Sequence, residues 1–388
     1  MKITDIQACV IGQQEQHSGG SVWTFVRVYT DEGIVGTGEC NSGGPSFSGF
    51  ATKAAIVAIT PLLIGEDPFN VNMLYEKIRR GGRYGGSSNA PLIFAITGID
   101  NALYDIVGKA LGVPVYKLLG GKFRDTIRLY ADCHAGETED PKAYADKALE
   151  VVSQGFGAVK FDVDSTGIGK FDPHNWTVSA KEMTHIINLI SGIREALGYE
   201  IDLAIDCHGQ FDMPSAITLA KAVEPLRLLW LEEPVPAENI AALAQVRASS
   251  STVICSGENQ YTRFEFLNLF AQKAVDVIMP DLAKAGGIAE GKRIAEMADA
   301  HYIPIAPHNV SSPLGMMAAC HVMAAVPNFL LLEFHALNIP WWNDLCDGDQ
   351  PFVENGFMKV SERPGIGVEL NDTVARSLLW QGDTYFTH

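Results

Sequence analysis

Three acidic residues stand at equal steps along the chain: Asp206, Glu232 and Glu258 are 26 residues apart (232 − 206 = 26; 258 − 232 = 26). Each closes a short apolar run: IDLAID at 201–206, LLWLE at 228–232 and TVICSGE at 252–258. Three carboxylates facing one space repel and raise one another's pKa, so their convergence calls for a hard cation. Ligation by oxygen alone suits Mg²⁺, which takes few protein carboxylates and keeps positions for water and substrate. Zinc would draw on His or Cys, and neither stands at these positions. One such residue alone is as well explained as a cap on the helix that follows. Three on consecutive runs favour the metal.

The series continues. Asp281, His308 and Glu333 follow at steps of 23, 27 and 25 residues. A carboxylate beside an imidazole fixes its tautomer and raises its basicity, which makes His308 a candidate general base oriented by Asp281. The plainer reading is a buried structural histidine in the loop Pro307-His308-Asn309. His208 lies two residues after Asp206 and shares its face if the strand persists, which suits a general acid; otherwise it is a loop residue. Lys160 sits inside the apolar run GAVKFDV (157–163), with Asp162 two residues on. A lysine there is costly unless it is used or paired, with Asp162 or an acidic ligand as the plain partner. Lys284, three residues past Asp281, is a further cation for an acidic ligand, its role open. Glu333 would hydrogen-bond a substrate oxygen if protonated, and is otherwise a solvated strand end.

These residues need a scaffold that sends successive strand ends to one place. From about residue 126, eight short apolar runs alternate with amphipathic helical stretches. Besides those named, they are TIRLYADC (126–133), VDVIMPD (275–281), YIPIAP (302–307) and FLLLE (329–333). Near-continuous apolar strands between helices mean a parallel sheet buried on both faces, and eight of them close naturally as a barrel. All six spaced side chains then meet at one mouth. Ahead of them, residues 2–11, 22–30 and 34–40 are β-rich, with a turn at Asp31-Glu32-Gly33, and read as an antiparallel meander. Helical periodicity follows over 51–63, 68–80 and 90–111, with Asp67-Pro68 as the expected start of the second helix and Gly112 as the stop of the third. The expected division is an α+β unit over 1–125, a barrel over 126–335, and a tail over 336–388 that packs back on the first unit.

The chain has 388 residues, of which 47% are hydrophobic and 19% charged, ordinary globular usage. With 29 Lys plus Arg against 46 Asp plus Glu the net charge is −17, so nucleic acid and anionic membrane are poor partners. An acidic substrate is still admissible, because a bound metal reverses the local sign. Seven dispersed cysteines without a CxxC pair argue against a disulfide framework and fit a reducing cytoplasm. The N-terminal MKITDIQACVIG has no signal-peptide character, and no apolar stretch approaches a bilayer span. The glycines at 81–86 and Gly286-Gly287 fit no phosphate-loop or dinucleotide pattern. Trp341 and Trp342 are more ordinary as packing than as a pocket lining, and no Gly-x-Ser-x-Gly elbow is present.

Taken together, Lys160-Phe-Asp162, Asp206-Cys-His208, Trp230-Leu-Glu232-Glu233-Pro234, Gly257-Glu258-Asn259, Met279-Pro280-Asp281, Pro307-His308-Asn309 and Glu333 resemble the enolase superfamily. The nearest branch is the mandelate racemase-like one, and within it the acid-sugar dehydratases such as the galactonate dehydratases. Gly36-Thr-Gly-Glu39, Ala102-Leu-Tyr-Asp105 and Pro364-Gly-Ile-Gly-Val-Glu369 extend the resemblance over the whole chain. It implies an α/β fold, a modified TIM barrel of the (β/α)₇β kind under an N-terminal α+β capping domain. It also implies Mg²⁺ on Asp206, Glu232 and Glu258, chelated by the carboxylate of a small-molecule substrate. His308 with Asp281 would take the α-proton, Lys160 and Glu333 would face the enediolate oxygens, and His208 would protonate the departing β-hydroxyl. A 2-keto-3-deoxy acid would result.

In one place the sequence departs from the branch. Racemases carry Lys-x-Lys at the second strand, and the second Lys is a base; here Asp162 stands there. A one-base enzyme eliminates water but does not readily racemise, so dehydration is favoured and Asp162 is left as a second acid/base or a partner of Lys160. A racemase or epimerase, and a non-catalytic acid-binding or structural barrel, are the rival readings. Expected substrate loops are 13–20 and 43–49, whose Gln, His, Ser and Gly suit hydroxylated ligands. A homo-oligomer is also expected.

Overall fold

A computed structural model describes residues 1–12, 22–43, 45–81, 90–136, 138, 140–163 and 175–387. The expected substrate loop at 13–20, residue 44 of the second loop and most of the glycine-rich stretch at 81–86 lie outside the described residues.

The chain opens with β1 (Ile3–Gly12), β2 (Val22–Thr30) and β3 (Val35–Cys40), an antiparallel sheet in the order β1-β2-β3. Gly33, at φ +78, makes the β2–β3 turn, and its amide donates to Thr30 O at 3.1 Å. Two helices cover the sheet, α1 (Ser46–Ile59) and α3 (Ala90–Leu111), and α2 (Val71–Gly81) packs on α3. Gly36 and Gly38 lie so close to α3 that an added Cβ would meet Ala102 O and Gly98 O at 2.1 Å. Glycine there is a packing requirement.

Helix α2 begins later than Asp67-Pro68 predicts. Asp67 accepts from the Phe69 amide at 3.0 Å with its side chain and from the Asn70 amide at 3.1 Å with its carbonyl, so it closes a turn of its own instead of capping the helix. Helix α1 also starts earlier than expected, directly after Pro45. Helix α3 stops at Gly112, φ +67, as the sequence indicates. By length and composition α3 suffices to cross a bilayer, but 78% of that window is buried inside the protein, as in the core helix of a folded domain.

After the short α4 (Val115–Leu118), strands and helices alternate. The strands are β4 (Thr126–Cys133), β5 (Ala158–Asp162), β6 (Asp202–Asp206), β7 (Trp230–Glu232), β8 (Ile254–Ser256), β9 (Val277–Ile278) and β10 (Leu332–Phe334). The helices are α5 (Pro141–Ser153), α6 (Ala180–Leu197), α7 (Met213–Ala222), α8 (Ile240–Ser249), α9 (Thr262–Ala271), α10 (Gly287–Ala300) and α11 (Pro313–Ala324). Neighbouring strands from β4 to β9 pair in parallel, and β10 pairs with β4 to close the ring.

The run at 302–307 fills the gap between β9 and β10 without becoming a ladder strand. Only Ile305 bridges both sides, to Ile278 and Phe329. Pro304 and Pro307 lack the amide hydrogens that a ladder needs. The sheet is therefore the expected eight-membered parallel barrel, with an irregular seventh member.

Strand alternation sorts the side chains. Val159 and Phe161 of β5 join the shell between barrel and helices, as do Leu203, Ile205 and Leu231. Tyr130, Ala158, Ala204, Trp230, Cys255, Val277, Met279, Ala306 and Leu331 fill the barrel interior. The next inward positions toward the strand ends carry Lys160, Asp206 and Glu232, so the polar site rests on an apolar floor.

The tail returns to the first unit. The Trp380 amide donates to Val10 O at 3.0 Å, the Gly12 amide to Leu378 O at 2.9 Å, and Arg27 pairs with Asp372. A fully buried histidine joins tail and barrel. His321 Nδ1 accepts from the Tyr116 amide at 3.3 Å, and its Nε2 bonds Ile366 O at 2.9 Å. Both nitrogens are used by the neutral ring, and burial, the largest influence, pushes the pKa down to about 4. The unfolded chain, near 6.5, therefore binds the proton more tightly, so this contribution is complete above pH 6.5 and lost as pH falls toward 4. The expected result is an unfolding free energy, from urea titrations, that drops across that window by at most about 1.4 kcal/mol per pH unit from this group. The slope should be shallower in His321→Gln; an unchanged slope would remove His321 as the cause.

Candidate active site at the barrel mouth

The strand ends bring Lys160, Asp206, Glu232 and Glu333 into one buried cluster, each 2% exposed or less. Lys160 Nζ lies 2.9 Å from Asp206 Oδ2, 3.0 Å from Glu232 Oε1 and 2.7 Å from Glu333 Oε1. Its plain partner is thus the acid cluster, which was one of the two expected. Burial works against its charge, but Asp206, Glu232 and Glu333 hold the ammonium well above its ordinary pKa. One cation among three carboxylates leaves an excess of negative charge. Burial first, and then Asp206, push Glu232 well above the usual carboxylate range. Asp206 is held low: burial opposes this, but Lys160 and His208 prevail. Trp230 Nε1 donates to Glu232 Oε2 at 2.9 Å and fixes that carboxylate from below.

Glu258, two residues past β8, lines the same cavity but is turned toward His308, with its Oε2 3.1 Å from Nε2. Asn259 Nδ2 donates to its other oxygen at 3.0 Å. Asp206 and Glu232 are thus joined through Lys160, while Glu258 stands across from them on the base.

His308 Nδ1 lies 2.9 Å from Asp281 Oδ2, and Lys284 Nζ lies 3.0 Å from the same oxygen. The Ala283 amide donates to Asp281 Oδ1 at 2.8 Å. Lys284, with its role open in the sequence, is therefore the partner of the orienting acid. Burial resists ionisation of Asp281, yet Lys284 and His308 bring its pKa down to about 2. A fixed anion at Nδ1 leaves Nε2 of His308 facing the cavity. Burial opposes the imidazolium, but Glu258, Glu333 and Asp281 raise it to about 8. Glu333 also accepts from the Asn309 amide at 2.8 Å, which ties the loop after His308 to β10.

His208 does not continue β6. Its backbone is left-handed, φ +44, and its amide donates to Asp206 Oδ1 at 2.9 Å. The turn, not strand alternation, brings its Nε2 to 3.5 Å from Asp206 Oδ2. Asp162, at the end of β5, is pushed up to about 8 by burial, then by Asp132 and Asp206. It has two histidine neighbours: His134, whose Nδ1 lies 3.5 Å from Asp162 Oδ2, and His208, within 4.8 Å.

Asp132 and His134 escaped the sequence reading. The signal was present: Asp132-Cys133-His134 repeats the tripeptide Asp206-Cys207-His208 at the end of another strand. Among the described residues, the groups with ligand atoms within 4.8 Å of one another are Asp132–His134–Asp162 and Asp162–Asp206–His208. Asp132, His134, Asp162 and His208 line a cavity of about 250 Å³, enough for a small polyhydroxy acid.

The first unit holds the site in place. Glu39 of β3 is fully buried and accepts from the Ser312 amide and the Gly315 amide, both at 3.0 Å, and from the Ser42 and Ser312 hydroxyls. It thereby caps α11, the helix that follows the His308 loop. Trp23 Nε1 donates to Val310 O at 2.7 Å and Trp342 Nε1 to Ser311 O at 2.9 Å, so Trp342 is a packing residue with one polar bond. On the Asp281 side, α3 supplies Asn101 and Asp100 to the Ile288 and Ala289 amides at 3.1 Å.

Residues 143–374 match the enolase C-terminal domain-like family, and residues 13–120 match the mandelate racemase / muconate lactonizing enzyme N-terminal domain. A protein named D-xylonate dehydratase from Haloferax volcanii is 40% identical over 386 residues, 99% of this chain and 90% of that protein. A protein named D-galactonate dehydratase from Verminephrobacter eiseniae is 36% identical over 359 residues, 91% of this chain and 90% of its own length. Among solved structures, a mandelate racemase/muconate lactonizing enzyme-like protein from Rubrobacter xylanophilus superposes with a TM-score of 0.93 at 44% identity, covering 99% of both chains. An enolase superfamily member from Salmonella Typhimurium gives 0.89 at 31% identity, covering 97% of both.

Proposed function

This chain belongs to the enolase superfamily, in its mandelate racemase/muconate lactonizing enzyme branch, and from that membership we propose that it is a Mg²⁺-dependent sugar-acid dehydratase, a hydro-lyase. The observation that carries the reading is His308, with Nδ1 tied to Asp281 and Nε2 on a cavity it shares with Lys160 and His208, where it meets Glu258 Oε2 at 3.1 Å.

The donor set fits a hard divalent ion. Asp206, Glu232 and Glu258 offer oxygen only, and the buried acids outnumber the one ammonium among them, so Glu232 resists ionisation. Bound there, Mg²⁺ supplies positive charge opposite the carboxylate of the substrate. The remaining work belongs to side chains. His308 takes the α-proton at Nε2, and Asp281 stabilises the imidazolium that forms. Lys160 donates to a carboxylate oxygen as charge moves onto it, with Glu333 holding the ammonium in place. His208, partly exposed beside Asp206, gives a proton to the β-hydroxyl, which leaves as water. The enol that remains becomes the 2-keto-3-deoxy acid.

The names of the relatives point to aldonic acids such as D-xylonate and D-galactonate. The test is a panel of acid sugars incubated with Mg²⁺ and read as keto acid with semicarbazide. Keto acid from at least one of them is expected. Exchange of the α-proton in D₂O with no keto acid from any would replace dehydration by racemisation, and a chain inert with and without metal would be a binding protein.

A further inference from the structure

Resting on the dehydratase reading, we propose that Asp132, His134 and Asp162 form the subsite for the hydroxyl-bearing tail of the substrate, which commits the enzyme to monocarboxylic polyhydroxy acids and against dicarboxylic acids of the same skeleton.

These three residues come from the ends of β4 and β5 and line the same cavity as His308 and Lys160, yet the chemistry above uses none of them. His134 sits between the two acids, with Nε2 3.2 Å from Asp132 Oδ2 and Nδ1 3.5 Å from Asp162 Oδ2. The second oxygen of each acid, Oδ1, is buried with no hydrogen-bond partner. Asp132 is only 7% exposed. A buried acceptor without a donor is costly, so at Asp132 the wall is short of a donor, while Asp162, raised to about 8, holds a proton of its own near neutral pH.

A hydroxyl supplies one donor and brings no charge. A carboxylate is an acceptor only and would meet the unpartnered Asp132 oxygen lone pair to lone pair. Nor, among the described residues lining the cavity, is a lysine or the His134 ring free to receive a second carboxylate. Lys160 is committed to Asp206, Glu232 and Glu333, Lys284 to Asp281, and His134 to the two acids that flank it. Burial disfavours the charged imidazole, but Asp132 and then Asp162 raise it to about 9, which keeps His134 a donor to Asp132 and an ion-pair partner of Asp162. The cavity thus has one end fitted to an anion and another fitted to neutral donors.

The test compares acids that differ only in the tail: D-galactonate with galactarate, and D-xylonate with D-xylarate, in the Mg²⁺-loaded enzyme. In the wild type, kcat/KM should favour the aldonate by about 100-fold or more, as for a site built to pair with a hydroxyl. Asp132→Asn, whose amide can donate to a tail carboxylate, should narrow that ratio by about tenfold, mostly through KM. His134→Gln should raise KM for the aldonate by about tenfold with a smaller change in kcat. Wild type that accepts both acids within threefold overturns the subsite and leaves the dehydratase standing, and this comparison needs no variant to fold. Asp132→Asn with an unchanged ratio overturns it too. So does a second divalent ion per chain that calorimetry detects in wild type and not in Asp132→Asn. Keto acid from no acid sugar removes the premise, and the subsite falls with it.

Discussion

His308→Asn is expected to lower kcat for keto-acid formation by about 10² or more, the range lost when a positioned general base is removed. The α-proton of a carboxylate is far too weakly acidic for solvent to take, and His308 is the cavity imidazole oriented by the Asp281–Lys284 pair. Asp281 fixes Nδ1, and Nε2 is the atom that meets the cavity. Asparagine keeps a polar group of similar reach near Asp281 but has no lone pair with the basicity of imidazole. Lys284 still neutralises Asp281 from its own side, so the melting temperature should stay close to that of the wild type. The loss should appear in kcat more than in KM, because the base acts in the transition state and does not hold the substrate. A variant within threefold of wild type would transfer the role of base to another residue.

Glu232→Gln should separate metal binding from folding. Glu232 is fully buried, and burial together with Asp206 already disfavours its charge. Removing that charge relieves the metal-free protein, so unfolding in chelator should occur at the same urea concentration as wild type or higher. Mg²⁺ affinity should fall about 100-fold or more, since residues that merely touch metal ligands are worth ten to a hundredfold. Calorimetric titration with MgCl₂ after EDTA treatment and dialysis measures this directly. Wild type treated the same way should lose turnover and regain it with Mg²⁺. Unchanged affinity in the variant, or full turnover in chelator, would remove Glu232 from the ligand set.

The framework of this site was legible because parallel strands bury both faces and end in chemistry. Ala158-Val159-Lys160-Phe161-Asp162 shows both properties, with Val159 and Phe161 in the outer shell and Lys160 among the acids. The 26-residue steps from Asp206 to Glu258 were legible for the same reason: one strand, one helix and two short loops take a near-constant length of chain. What depends on local backbone was less so. His208 reaches Asp206 through a left-handed turn that no hydrophobic pattern announces. Asp67-Pro68 looks like a helix start and is a turn, because Asp67 serves amides two and three residues on. The prolines at 304 and 307 reduce an apolar run to a single bridging residue.

Long-range partners were out of reach altogether. Glu39 stood in a recognisable motif, but its ligands at Ser312 and Gly315 lie 273 and 276 residues away. Asp132-Cys133-His134 could have been flagged as a second copy of Asp206-Cys207-His208. Nothing in spacing alone says that His134 would bridge to the next strand at Asp162.

The Glu39 clamp bears on how such an enzyme can be re-engineered. Its carboxylate closes the start of α11 from another layer of the molecule, and Ser311 joins it through Ser42, donating to the Ser42 hydroxyl at 3.1 Å. A graft that imports a foreign N-terminal unit to alter selectivity would break this joint unless the serines at 311 and 312 travel with it. The smallest exchangeable module is therefore discontinuous in sequence: the opening unit plus the segment from Val310 to Gly315.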